Sequence, residues 1–353
     1  MICVSPLLSI MLDQQGKYKN DKFSVEFVGE AQTDRTVHKK VVNGEVQLLY
    51  ISPESIIDNH KYRDMLLTPI YKQRLVALVV DEAHCIRTWG DKFRRAFSKL
   101  GDLRSIVPSG VNIMALTATA TQQTFHVIKE RLSMNRPVLV STSPFRNNIA
   151  YVVVPKIDGD QFCATICTDL RIKRSSYPKT VIFVRSYTDC CTIYLGFRRE
   201  MGKEILDPLG APEMSQFLLV DVFTRVNTQE KKEQVMASFK VVESTLRIVI
   251  ATTAFGMGVD CPNIHQIFHW GSPSVKEEYV QEVGRAGRDG EESVATIFSE
   301  KVGKHTSREM KEYLENSTVC RRRLLFQEFL SYSEKDITVR EIKCCDICKY
   351  VIC

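Results

Sequence analysis

No apolar run in these 353 residues approaches the length of a bilayer-spanning helix, and the N-terminus carries no signal-peptide core. That pattern excludes a helical membrane span and offers no membrane partner. No internal repeat is present, and no basic cluster reads clearly as a nuclear-import signal. Net charge is short as well. Lysine and arginine total 48 against 42 acidic side chains, leaving +6, a surplus that permits a nucleic-acid partner without requiring one. Also missing is any G-x-x-x-x-G-K-[ST] run, the loop whose backbone amides cradle nucleotide phosphates while its lysine reaches the β and γ oxygens.

What is present is ordinary for a globular chain, with 44% apolar and 25% charged residues, and the length predicts about two domains. Twelve cysteines would suggest disulfides in a short secreted chain, but not in a large one without a leader. Cys3, Cys85, Cys163, Cys167, Cys190, Cys191 and Cys261 lie in or beside apolar stretches and read as small buried hydrophobes. Cys344, Cys345, Cys348 and Cys353 differ, because they crowd the last ten residues.

Apolar strands alternate with helical segments in both halves, the pattern of an α/β protein with parallel sheets. Strands are predicted at Ile2 to Ser5, Ser24 to Val28, Val46 to Ile51, Leu75 to Asp81, Asn112 to Leu116 and Val138 to Ser141, with a helix over Thr121 to Leu132. After a break near Ser143-Pro144-Phe145-Arg146-Asn147-Asn148, further strands are predicted at Tyr151 to Val154, Thr180 to Val184, Phe217 to Phe223, Leu246 to Thr252, Gln266 to His269 and Val294 to Phe298. A Lys/Arg/Glu-rich helical stretch and the cysteine cluster follow.

Two short motifs about 200 residues apart carry the chemistry. Asp81-Glu82-Ala83-His84 ends the unbroken apolar run Leu75 to Val80, so a buried parallel strand delivers two carboxylates to its C-terminal edge, where open α/β sheets bind ligands. A nucleotide-bound Mg²⁺ would sit there. Gln281-Glu282-Val283-Gly284-Arg285-Ala286-Gly287-Arg288 supplies two arginines three apart, expected on a helical turn and suited to charge developing on a departing phosphate. Taken alone, Asp-Glu-Ala-His is more often a solvated strand end. The ordered pair is far less common.

With these two, five further blocks carry a resemblance to the RecQ-like DNA helicases of superfamily 2. Val4-Ser5-Pro6-Leu7-Leu8 with Asp13-Gln14 resembles motif Ia, Leu49 to Glu54 motif Ib, Leu116-Thr117-Ala118-Thr119-Ala120 motif III, Thr180 to Ser186 motif IV and Ile250 to Asp260 motif V. The resemblance implies two RecA-like parallel-sheet lobes, at 1–143 and 144–300, and a small helical zinc-binding region, incomplete, at 301–353. The family's phosphate loop and adenine-reading glutamine would precede motif Ia, so the chain is expected to be an N-terminally truncated helicase. Its first lobe should then show an unfilled slot where the phosphate-loop strand belongs.

The implied activity is ATP-dependent DNA unwinding, 3′ to 5′, in repair or recombination, with ATP and Mg²⁺ as cofactors, single-stranded and forked DNA as partners, and a nuclear address by resemblance alone. Asp81 would hold Mg²⁺, Glu82 would polarise the attacking water, and His84 would pass a hydrogen bond between the lobes. Arg288 is the expected arginine finger and Arg285 its γ-phosphate partner. Gln281 would contact the nucleotide, Gly256 and Gly258 would form a tight loop beside the phosphates, and Asp260 would bond the ribose or order the arginines. Expected DNA contacts are Ser5, Ser52, Thr117, Thr119, Ser186 and Thr252, although any one of these hydroxyls alone reads more readily as a turn or helix cap.

Residues 84–94 resemble the family's aromatic-rich loop, in which Trp89 and Phe93 offer stacking faces and Arg94 could relay DNA binding to the ATP site. Lys92 replaces the acid usual before the Phe, and Phe223-Thr224-Arg225 stands where many members carry His-Ala. Cys320, Cys345 and Cys348 resemble the family's Zn²⁺ module, but its usual fourth cysteine falls on Ile342. Cys344 is the substitute and Cys353 the reserve. A second reading is a catalytically inactive nucleic-acid-binding fragment. A third, an RNA helicase, is disfavoured by Gln281-Glu282 and the Trp89 loop.

Overall fold

The computed structural model describes residues 1–19, 23–88, 94–252, 255, 261–300, 306–330 and 344–348. They divide into two compact units, Met1–Thr142 with Phe329–Ser331, and Ser143–Glu328 with Tyr332–Cys353. Both are parallel sheets flanked by helices, as the strand–helix alternation requires: parallel neighbours need a crossover, and the crossover is a helix.

The first unit contains β1 (Ile2–Val4), β2 (Val25–Val28), β3 (Leu48–Ile51), β4 (Ala77–Val80) and β5 (Asn112–Ala115), in the order β2-β3-β1-β4-β5. β1 lies in the middle, with Cys3 between Tyr50 and Val79. Every side chain of β4 is buried, which is why its sequence is an uninterrupted apolar run. Helix Leu8–Lys19 brings Met11 onto a cluster of Cys3, Val25, Phe27, Tyr50 and Val79 on one face of the sheet. Fully burying a Met, Val or Phe side chain of this kind is worth roughly 1.5–3 kcal/mol.

The sheet stops at β5, which pairs with β4 alone among the described residues. Its residues alternate between exposed and half-buried, and Met114 (46%) and Leu116 (45%) stay open to solvent. The strand expected at Val138 to Ser141 does not form, and Val138 and Val140 are each 89% exposed. An isolated extended segment has no ladder to join, so its β-branched residues alone cannot make it a strand.

The second unit orders its strands β6-β11-β10-β7-β9-β8. They are β6 (Ile149–Pro155), β7 (Lys179–Val184), β8 (Val220–Phe223), β9 (Ile248–Ala251), β10 (Ile264–Trp270) and β11 (Ser293–Ser299). Helices Gly159–Lys173 and Tyr187–Met201 pack together so closely that a Cβ on Gly196 would lie 2.6 Å from Cys163 Sγ. Phe162 anchors this core between Trp270 and Phe298, at ring-centroid distances of 4.6 and 4.9 Å. Cys163, Cys167 and Cys190 are buried in the same cluster, and burial pushes their thiols up to about 12. They are packing residues, not nucleophiles.

On the outer edge of β6, Tyr151 N donates to Cys344 O at 3.1 Å and Asp346 N donates to Tyr151 O at 3.1 Å. The cysteine-rich segment therefore extends the second sheet by a short parallel bridge.

Candidate active site

In the first unit, the chain leaves β4 in a tight turn tied to both neighbouring strands. Asp81 N donates to Val4 O at 2.9 Å and Ala83 N to Leu116 O at 2.8 Å. Asp81 Oδ1 accepts from Glu82 N at 2.9 Å, and Oδ2 lies 3.4 Å from the hydroxyl of fully buried Ser5. Burial, then the neighbouring Glu82 carboxylate, hold the Asp81 carboxyl above its usual range. Glu82 has φ +48°, a left-handed conformation costly for a residue with a Cβ. Among the described residues its Oε2 is buried without a hydrogen bond, at ion-pair distance, 3.2 Å, from His84 Nδ1. Two crowded, poorly solvated carboxylates beside one imidazole fit a divalent cation.

His84 is buried, and its Nδ1 lies 3.1 Å from Thr117 Oγ1. That hydroxyl donates to Thr119 O and accepts from Thr119 N, so the acidic turn and the turn after β5 form one network. Thr119 is buried at 2% exposure. Ser52 caps helix Pro53–Asp58 by accepting from Ser55 N, and Ser186 caps Tyr187–Met201 by accepting from Asp189 N. Thr252 is half-buried directly after β9. Arg94 grips Glu54 with two nitrogens, Nε at 2.8 Å and Nη2 at 2.6 Å, and donates Nη1 to Pro6 O at 2.6 Å. It thereby ties together the segments after β1 and β3. Trp89 and Phe93, like Gly256, Gly258 and Asp260, lie outside the described residues.

In the second unit, Gln281 and Glu282 lie on helix Lys276–Val283, but Arg285 and Arg288 do not continue it as expected. They follow in a run of turns that Gly284 opens and Gly287 redirects at φ +61°. Arg285 is buried and Arg288 exposed. The turn is pinned by Asn148, whose Nδ2 donates to Gly287 O at 2.9 Å and Glu291 O at 2.7 Å, while Arg146 Nη1 donates to Ala286 O at 3.3 Å. In the sequence Arg146 and Asn148 read only as part of the break between the two halves. Also unassigned was His269, whose Nε2 lies 2.8 Å from Glu282 Oε2 with both side chains buried.

Cys320, Cys344, Cys345 and Cys348 place their sulfur atoms within 4.8 Å of one another. Cys344 Sγ is 3.9 Å from the sulfurs of Cys320 and Cys345, and Cys348 N donates to Cys345 Sγ at 3.4 Å. A tetrahedral Zn²⁺ with Zn–S bonds of about 2.3 Å separates its ligands by roughly 3.8 Å, so the four thiols fit the ion. A hydrogen bond from the Cys320 thiol, foremost, pulls the Cys345 thiol below its usual range. Arg321 forks onto Asp346 with Nε and Nη2 at 2.5 and 2.8 Å, anchoring the cluster beside β6. Ile342 and Cys353 lie outside the described residues.

Comparison with known proteins follows the same division. Residues 1–127 match the DEAD/DEAH box helicase family, and residues 163–290 the helicase conserved C-terminal domain. The ATP-dependent helicase SGS1 of Saccharomyces cerevisiae is 29% identical over 99% of this chain, which covers 24% of that protein. The ATP-dependent DNA helicase RecQ of Pasteurella multocida is 31% identical over 85% of the chain, covering 43% of that protein. Mouse bifunctional 3′-5′ exonuclease/ATP-dependent helicase WRN is 29% identical over 99%, covering 25%. The chain thus spans less than half the length of these relatives. Among solved structures, S. cerevisiae Dbp5 bound to RNA and ADP BeF3 matches 94% of the chain and 75% of its own, with TM-score 0.64 and 14% identity. Mycobacterium smegmatis helicase Lhr bound to ssDNA and AMP-PNP matches 84% and 39%, with TM-score 0.60 and 18% identity.

Proposed function

Since the chain belongs to the RecQ-like DNA helicases, with a DEAD/DEAH box first half and a helicase C-terminal second half, we propose that it forms part of an ATP-dependent 3′ to 5′ DNA translocase. The observation that supports this most directly is the acidic turn after β4, with a left-handed Glu82 whose buried oxygen has no hydrogen bond among the described residues. Mg²⁺ would supply charge neutralisation for a nucleotide's phosphates there. Asp81 would hold it from a position braced by Ser5 and Glu82 N, and Glu82 would orient a water and accept its proton. Arg285 and Arg288 would provide positive charge to phosphate, and Gln281 a nucleotide contact. Arg94, through Glu54 and Pro6, would link the aromatic loop to the segments after β1 and β3. Single-stranded DNA would be held through its phosphates, with strong salt dependence.

The missing phosphate-cradling run, together with the open edge at β5, favours a second reading of these 353 residues on their own: DNA binding without turnover. ATP hydrolysis by the purified chain, with Mg²⁺ and saturating single-stranded DNA, separates the two. Turnover that Glu82→Gln lowers by 100-fold or more, on the order of a lost proton acceptor, supports the first. DNA binding with no hydrolysis supports the second, and an equal rate in Glu82→Gln removes the assigned role of Glu82.

A further inference from the structure

The second unit gathers a buried acid, a buried base, the buried guanidinium of Arg285 and the exposed guanidinium of Arg185 around one helix end, and the chemistry assigned above does not use the acid or the base. Glu282, on helix Lys276–Val283, is 4% exposed, and His269, on β10, is 2% exposed. Their side chains meet at 2.8 Å. The imidazole is stacked on Phe183 of β7 at 5.3 Å and edged by Tyr279 at 5.0 Å, so apolar rings, not water, surround it. His269 Nδ1 has no hydrogen-bond partner among the described residues. The charged groups facing the pair are Glu278, from the same helix, Arg185, from the segment after β7, and Arg285, from the turn after the helix. Arg185 is itself held by Ser272 O and Ser274 Oγ.

We propose that Glu282 and His269 share one proton, and that this keeps a charged carboxylate from competing with a nucleotide's phosphate for Arg285. The inference rests on the reading of Arg285 as a phosphate ligand and assigns Glu282 as a positioning residue. The physical reasons converge. Burial pushes the Glu282 carboxyl up to about 8 against the opposing pull of Arg285 and Arg185. Burial, with repulsion from Arg185, lowers the His269 imidazole to about 3 despite the attraction of Glu278. Both effects select the same state at neutral pH, a carboxylic acid donating to a neutral imidazole. Ionised, Glu282 would stand three residues before Arg285 and draw its guanidinium inward.

The sign of the pH effect follows. The Glu282 carboxyl titrates higher folded than unfolded, so its stabilising contribution is complete below about pH 4.5 and is lost as pH rises through about 8. Glu282→Gln is the isosteric test, since its amide donates the same hydrogen bond at every pH. Wild type and variant are compared by chemical unfolding from pH 5 to 9, and by binding of Mg·AMP-PNP, an ATP analogue that keeps its γ-phosphate, over the same range. The expected result is a wild-type unfolding constant that rises about tenfold per pH unit relative to the variant between about pH 5 and 8, then levels. Wild-type affinity for Mg·AMP-PNP should fall about tenfold from pH 7 to 9, while the variant stays flat. Parallel unfolding profiles would overturn the shared proton, because they would mean a carboxylate already ionised in the folded protein. Mg·AMP-PNP binding that ignores pH but is weakened by Arg285→Ala overturns the competition and leaves the phosphate role of Arg285 standing. Binding that Arg285→Ala leaves unchanged removes that role, and the competition with it.

Discussion

Gly287→Ala tests whether the arginine turn is held by the Asn148 clamp. A Cβ at this position would lie 2.3 Å from Asn148 Nδ2 and 3.0 Å from Ser293 Oγ, in a backbone already at φ +61°. The left-handed conformation alone costs an L-residue about 1–2 kcal/mol. The overlap forces the Asn148 amide away from Gly287 O and Glu291 O, its acceptors at 2.9 and 2.7 Å, and each lost bond is worth roughly 1 kcal/mol. The substitution should therefore destabilise the second unit by about 3–4 kcal/mol in urea unfolding. Asn148→Ala should cost about 2 kcal/mol, from the two bonds only. In the Asn148→Ala background the alanine at 287 meets no amide, so its further cost should shrink to the backbone part, about 1–2 kcal/mol. Strictly additive effects of the two substitutions would refute the clamp, and a Gly287→Ala cost below about 0.5 kcal/mol would refute the strain as well.

Two other outcomes follow from the cysteine module. The purified chain should carry one equivalent of Zn²⁺ by elemental analysis, and Cys345→Ser or a strong chelator should remove it; a metal-free protein whose four thiols all react freely would disprove the site. Loss of structural zinc withdraws on the order of 10 kcal/mol of apparent folding energy from such a module, so the segment at 344–348 should lose hydrogen-exchange protection. Asp346→Asn leaves the sulfurs in place but removes the charge that Arg321 grips at 2.5 and 2.8 Å, and should cost about 1.5–3 kcal/mol of stability with zinc content unchanged. Loss of zinc in that variant would show that the arginine fork and the metal site are inseparable.

The buried strand β4 and the acidic turn were legible because a parallel strand covered on both faces leaves a continuous apolar run, and the polar residues that end it mark the sheet's C-terminal edge. Cys320 and the Cys-x-x-Cys spacing were legible for a similar reason, since metal geometry restricts spacing, and Cys344 now stands within reach of the other three sulfurs. The arginine turn was misjudged as helix because three-residue spacing suits a helical face equally well; the outcome was decided by Gly284 and Gly287 and by Asn148, about 140 residues away in sequence. Val138 to Ser141 has strand-forming residues, but a strand exists only beside a partner, and none of the described segments pairs with it. His269 and Glu282 were invisible for the same reason as the clamp. Their pairing is a property of β10 against a helix, and no local pattern encodes it.

The position of β6 has a consequence for how this chain is made. β6 is the first strand of the second unit to leave the ribosome, yet its two neighbours are β11, where Tyr151 pairs with Ala295, and the segment around Cys345. At about 5–20 residues per second, the first partner arrives on the order of 10–30 s after β6 itself, and the second several seconds later. Through that interval the hydrogen-bonding groups of an apolar strand wait with nothing from their own sheet to pair with. Production of the second unit should therefore depend on chaperone supply more than its final packing would suggest. A slower translation rate would lengthen the exposure rather than relieve it.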